Sequence, residues 1–120
     1  MIDENDIVKR MMEILENNLL KIMCECENAY FRKLAILNID INRNNDNNDL
    51  NLKLMLERTR DKEPEIRKLV YDRVKVNKIY IEHLKLPALS FQFLMDGVNS
   101  RDERVRSSCL SYYKSNFNDF

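Results

Sequence analysis

Apolar residues in the middle of this chain recur at the three- and four-residue spacing of a helix, without the two-residue alternation of a half-buried strand. Leu52, Met55, Leu56 and Thr59 make one such stripe, and Ile66, Leu69, Val70 and Val74 make another. Between them lies the polar run Arg60-Asp61-Lys62-Glu63, followed by Pro64. Proline has no backbone N–H to donate, and a first helical turn needs none, so Pro64 ends one helix and opens the next. The stretch predicts a helical hairpin that cannot bury both of its stripes alone.

The hairpin recurs. With Arg67 set on Arg106, Ile66 falls on Val105, Val70 on Cys109 and Asp61 on Ser100. With Arg67 set on Arg32, Ile66 falls on Phe31, Leu69 on Leu34, Val70 on Ala35 and Val74 on Ile39. The three arginines stand 35 and 39 residues apart. Self-similarity at that period, with two helices in each unit, marks a helical solenoid of the HEAT or armadillo type.

The remaining segments fit around this repeat. Residues 1–5 are polar and predict a frayed end; Ile7, Met11, Ile14 and Leu15 predict a helix capped by Asp6 or Asn5. Residues 17–27 either continue that helix through Leu19, Leu20 and Met23 or form an insertion, and Asn28 to Ile39 supplies the second helix. Asn42 to Asp49 is all Asn or Asp except Arg43. Such residues bond their own backbone in turns, so the run predicts a mobile linker, a tolerated loop expansion rather than an interaction segment. Lys75 to Leu86 either extends the central hairpin's second helix or packs across the stack as a separate turn, closed by Pro87. Ala88 to Val98 predicts the next helix, with Leu89, Phe93 or Leu94, and Val98 inward and Gly97 near its C-terminus. Ser100-Arg101-Asp102-Glu103 matches the capping box, and Val105, Ser108, Cys109 and Tyr112 form the last inward stripe.

The predicted fold is therefore all-α: a HEAT-type helical-repeat solenoid of about three helical hairpins, at roughly 6–41, 49–86 and 87–117, with an Asn-rich linker at 42–49. The pattern begins inside a repeat and ends at Phe117 and Phe120 without a polar capping helix, which predicts a fragment of a longer array.

Composition narrows the function. A single glycine, no tryptophan and 33% charged residues suit helices and disfavour a sandwich or barrel. Twenty basic and twenty acidic residues cancel, so any nucleic-acid contact must come from a local patch. There is no signal peptide and no apolar run near the length of a membrane span, which predicts a soluble, non-secreted chain with no membrane partner. Cys24, Cys26 and Cys109 are odd in number and lack zinc-site spacing, so they predict a reducing compartment and core packing. His83, the only histidine, reads as a partly exposed helical residue rather than a base. Glu63 and Glu65 suit a helix's first turn, where carboxylates offset the macrodipole. One glycine cannot build a phosphate loop. A non-enzyme without metal, cofactor or small-molecule substrate is expected.

The basic residues divide into two groups. Arg32, Arg67 and Arg106 occupy equivalent positions, and their planar forks suit a structural ladder to loop carboxylates such as Asp61, tying neighbouring repeats together. Lys33, Lys68, Arg73, Lys75, Lys78, Arg101 and Arg104 are freer for phosphate contacts, the bland alternative being a solvated face.

The central run also resembles a known family. Leu56-Glu57-Arg58-Thr59-Arg60-Asp61, Ile66-Arg67 and Val70-Tyr71-Asp72-Arg73 are similar to a run in the HEAT-repeat region of the condensin G-type regulatory subunits (condensin complex subunit 3). Phe31-Arg32-Lys33-Leu34-Ala35-Ile36-Leu37-Asn38-Ile39 resembles that family's V-R-x-x-A-L-x-N-I helix, and Asp96 to Glu103 with Val105-Arg106 resembles its G-L-x-D-R-D-E-x-V-R turn, with Ser100 in place of an aspartate. The likeness spans about residues 4–115, and the Asn-rich linker and residues 17–27 depart from it. It implies a non-catalytic HEAT scaffold in a chromosome-condensing complex, acting in mitosis. Its partners would be a kleisin subunit and an SMC-containing condensin complex, with weak, non-specific binding of duplex DNA. The implied location is the nucleus and chromosome, with cytoplasm in interphase. The alternative is a HEAT or armadillo scaffold of another assembly, a transport receptor or phosphatase scaffold, with no DNA role.

Overall fold

The computed structural model describes residues 3–42 and 47–118. The chain forms α1 (Glu4–Glu25), α2 (Ala29–Asn38), α3 (Asn47–Leu56), α4 (Pro64–Val76), α5 (Pro87–Val98) and α6 (Glu103–Asn118), with 3-10 turns at Glu57–Arg60 and Ile81–Leu84. Among the described residues every regular element is a helix.

Local chemistry sets the boundaries. Pro64 and Pro87 each sit in the first turn of a helix. The Asn28 side chain accepts from the N–H groups of Tyr30 and Phe31, capping α2. Two caps differ from those expected. Asp3, not Asp6 or Asn5, caps α1 by accepting from the Asn5 N–H, so the helix starts a few residues earlier. At α6 the Asp102 carboxylate accepts from the N–H groups of Arg104 and Val105, while Ser100 accepts from Asp102 N–H and so shapes the loop instead. A charged oxygen one residue before the helix outcompetes the more distant hydroxyl.

The open segments resolve. Residues 17–25 continue α1 without an insertion. The stretch expected as a linker is partly helical: α3 begins at Asn47, whereas residues 43–46 lie outside the described residues. The chain leaves α4 at Val76, takes a left-handed conformation at Lys78 (φ 54°), and returns through the 3-10 turn at Ile81–Leu84. Tyr112 holds this crossing against α6: its Oη donates to Ile79 O (2.8 Å) and accepts from Ile81 N–H (3.0 Å).

α1 pairs with α2 and α5 with α6, while α4 packs on the 3-10 turn at Glu57–Arg60 that ends α3 to make the second pair; the second helices stand in a row, with α4 between α2 and α6. One core runs through all three pairs. Met23, Ala35, Ile36 and Ile39 come from the first, Leu52, Met55, Leu56, Ile66, Val70, Tyr71 and Val74 from the second, and Phe93, Val105, Cys109 and Tyr112 from the third. Ser108 is buried with the last stripe as expected, Leu89 and Val98 pack half-buried against the core, and Leu94 is half-buried. The stripe Ile7, Met11, Ile14 and Leu15 is helical but exposed; α1 meets the core farther along, through Met23 with Leu19 and Leu20 beside it.

Between the second and third pairs, Tyr71 Oη donates to Phe93 O at 2.6 Å, and the Tyr71 and Phe93 rings lie 4.5 Å apart. Burial disfavours the ionised forms here: it pushes the Tyr71 hydroxyl well up, the Cys109 thiol to about 11 and the Tyr112 hydroxyl to about 12. An unfolded chain releases these protons near about 8.5 for Cys and about 10 for Tyr. The native state therefore holds more protons above roughly pH 9, and stability is full below that value and falls as pH rises. Melting temperature followed by circular dichroism should decline steadily above roughly pH 9; an unchanged value up to about pH 11 would contradict this burial.

Candidate partner-binding surface

The three equivalent arginines share one geometry. Each guanidinium turns back on its own loop and donates from Nη1 to the carbonyl six residues upstream. These bonds are Arg32 to Cys26 O (2.8 Å), Arg67 to Asp61 O (2.9 Å) and Arg106 to Ser100 O (2.7 Å). Arg32 and Arg67 also reach the next carbonyl, Glu27 O (3.0 Å) and Lys62 O (3.3 Å).

Arg32 does more. Its Nε and Nη2 donate to the two carboxylate oxygens of Asp61, both at 2.9 Å, with the side chains 5% and 3% exposed. Hydrogen bonding to Asp61 raises the already high Arg32 pKa, so the fork stays charged. Asp61 also accepts from Glu63 N–H at 3.0 Å, so one carboxylate joins the first pair of helices to the loop opening α4.

The expectation that all three arginines reach carboxylates needs correction. Arg67 and Arg106 bond carbonyls, and the cause is legible at one position. Ser100 stands where Asp61 stands in the preceding unit, so the loop after Arg67 offers a neutral hydroxyl in place of an acid.

The phosphate candidates do not form one stripe. Arg73 is not free: it is half-buried and donates to Ile36 O and, at 3.2 Å, Ile39 O, the carbonyls left open at the end of α2. Desolvation lowers its pKa, and Arg73 acts as a strut between α2 and α4. Lys33 lines a hollow with Glu63 and Glu65, and Lys78 one with Asn42, Tyr80 and His83, while Arg101 is exposed in the loop before α6.

Lys68, Lys75 and Arg104 do come together, along the groove between α4 and α6. Lys68 bonds Asp72 (2.7 Å), Lys75 bonds Ser111 Oγ (2.7 Å), and Arg104 pairs with Asp102 (3.1 Å), holding that carboxyl below its ordinary range. Lys114 completes the row, joined by Ser107, Ser111 and Ser115. Sequence reading passed over Lys114, although it falls two helical turns beyond Ser107. The end of the groove at Lys68 and Arg104 also carries Asp72 and Glu103, whereas the end at Lys75 and Lys114 carries no acid and is lined by those cations, Ser107, Ser111 and Ser115, and the exposed Leu110. Such donors suit anionic oxygens.

Among the described residues no His, Cys, Asp and Glu grouping suits a metal ion, and no helix is long and apolar enough to cross a membrane. His83 is exposed and its ring lies 5.3 Å from that of Tyr80; Cys24 and Cys26 are half-buried and Cys109 is buried. Compared with family models, curated proteins and solved structures, the chain matches none.

Proposed function

We propose that this chain is a HEAT-type scaffold segment of a condensin regulatory subunit. In this reading it is non-catalytic and contributes to kleisin and DNA binding in mitotic chromosome condensation, with the nucleus and chromosome as its location. The observation that carries the reading is the thrice-repeated arginine fold-back, with Arg32 bridging to Asp61. It falls on the residues that carry the resemblance to the condensin G-type subunits, and it gives each of them a mechanical task. Stacked hairpins of this kind offer a long surface for partners.

The groove between α4 and α6 is the face best suited to a polyanion, with Lys68, Lys75, Arg104 and Lys114 along it. If these four cations neutralise four phosphates, the binding constant falls with salt at a log–log slope of roughly −3.6. Contacts to backbone oxygens do not read bases, so a scrambled duplex binds equally well. Titration of labelled duplex at two salt concentrations tests this. The double substitution Lys75→Glu and Lys114→Glu should weaken binding and flatten the slope to roughly −1.8. Tight, salt-insensitive or sequence-selective binding would contradict the groove. No binding even at low salt would remove DNA as a ligand and favour a scaffold of another assembly.

A further inference from the structure

The stretch that follows α2 and the stretch that follows α4 together line a hollow of about 370 Å³, and we propose that it binds a small phosphate monoester with a flat, apolar body. The volume falls within the range of small-molecule pockets, about 300–1,000 Å³. One wall is Ile41 and Asn42, and the other runs from Asn77 to Tyr80 and includes His83.

The second wall follows from how α4 ends. Asn77 is the C-cap; Lys78 N–H donates to Lys75 O (3.1 Å) and Ile79 N–H donates to Val74 O (3.0 Å). That pair of bonds is the Schellman closure, whose left-handed residue is usually glycine. Here it is Lys78. The residue after it, Ile79, is buried, and Tyr112 fixes it by donating from Oη to Ile79 O. A lysine thus stands where glycine would fit with less strain, and it lines the hollow.

The chemistry of the lining selects the ligand. Lys78, His83, Asn42 and Asn77 are exposed, and among the described residues none that lines the hollow is acidic. An ammonium, an imidazole and two carboxamides can all donate hydrogen bonds. A phosphate monoester answers them with nearly two negative charges and three acceptor oxygens. Ile41 and Ile79 supply buried apolar surface, and the ring of half-buried Tyr80 lies 5.3 Å from that of His83. Aliphatic and aromatic surface of this kind takes a flat carbon body.

Phenyl phosphate added to the full chain at constant pH tests this. His83 is the only histidine, so its ring protons give a single NMR probe on the wall of the hollow. They should shift saturably with phenyl phosphate, and inorganic phosphate and benzoate should each bind at least roughly tenfold more weakly. Lys78→Gly should weaken phenyl phosphate binding at least roughly tenfold without lowering the melting temperature, because glycine suits that backbone. Lys85→Gly is the control: Lys85 is also left-handed (φ 56°) but does not line the hollow, so affinity should be unchanged. No saturable shift, equal binding of inorganic phosphate or benzoate, full affinity in Lys78→Gly, or an equal loss in Lys85→Gly would overturn the proposal.

Discussion

Arg32→Ala is expected to cost about 3–5 kcal/mol, the range for leaving one member of a buried ion pair unpartnered. The change deletes both bonds to Asp61 and those to Cys26 O and Glu27 O. It leaves a carboxylate 3% exposed with the Glu63 N–H as its hydrogen-bond donor and the Arg58 guanidinium more distant, at 4.0 Å. Domains of this size hold only about 5–15 kcal/mol in total, so a substantial share of the stability would go. Arg32→Lys should rescue little, because an ammonium cannot present a fork to Asp61 while also serving two carbonyls. Arg67→Ala removes only carbonyl bonds from a half-buried side chain, and about 1–3 kcal/mol is expected. Urea unfolding of the variants orders these costs. If Arg32→Ala lost no more than Arg67→Ala, the Arg32–Asp61 bridge would not be the principal polar link between the first two pairs.

Gly97→Val is expected to be comparably damaging, for a steric reason. Gly97 is buried in α5, and a Cβ there would overlap the Cys109 side chain and stand 2.7 Å from Tyr71 Oη. That hydroxyl is fixed by its bond to Phe93 O, and Phe93 is wedged between Tyr71 and Tyr112, with ring centroids 4.5 and 5.3 Å away. In an open helix, exchanging glycine for alanine gains up to about 1 kcal/mol. Here overpacking costs about 1–3 kcal/mol for the first added group, so Gly97→Ala already destabilises and Gly97→Val does so by more. Cys109→Ala removes the sulfur in the way, so pairing it with Gly97→Ala should recover part of the loss. Thermal unfolding of the single and double variants checks this. A stabilised Gly97→Ala would mean that α5 and α6 sit farther apart than described.

The sequence reveals elements more readily than partners. Helical spacing at Leu52, Met55 and Leu56, and at Ile66, Val70 and Val74, marks residues that are all buried, because a helix fixes which side chains share a side. The same spacing at Ile7, Met11 and Ile14 marks a helix but not a core, since periodicity records an apolar face without saying what covers it. The equivalence of Arg32, Arg67 and Arg106 was visible from their spacing. That only Arg32 meets a carboxylate depends on Asp61 and Ser100 at the facing loop position, which becomes clear once the pairs of helices are stacked. Arg73 was misread for a related reason: its charge suggests solvent, but its place opposite the end of α2 gives it carbonyls to cap. Lys114 was missed because its groove is built from two helices far apart in sequence.

Co-expression of this chain with a kleisin subunit and its SMC partners tests the proposed scaffold role most directly. The chain is expected to co-purify with the kleisin in equal amount. Arg32→Ala should lose the complex in proportion to its lost fold, whereas Lys75→Glu with Lys114→Glu should keep the complex and lose only DNA. A well-folded chain that elutes apart from the kleisin at every salt concentration would contradict it.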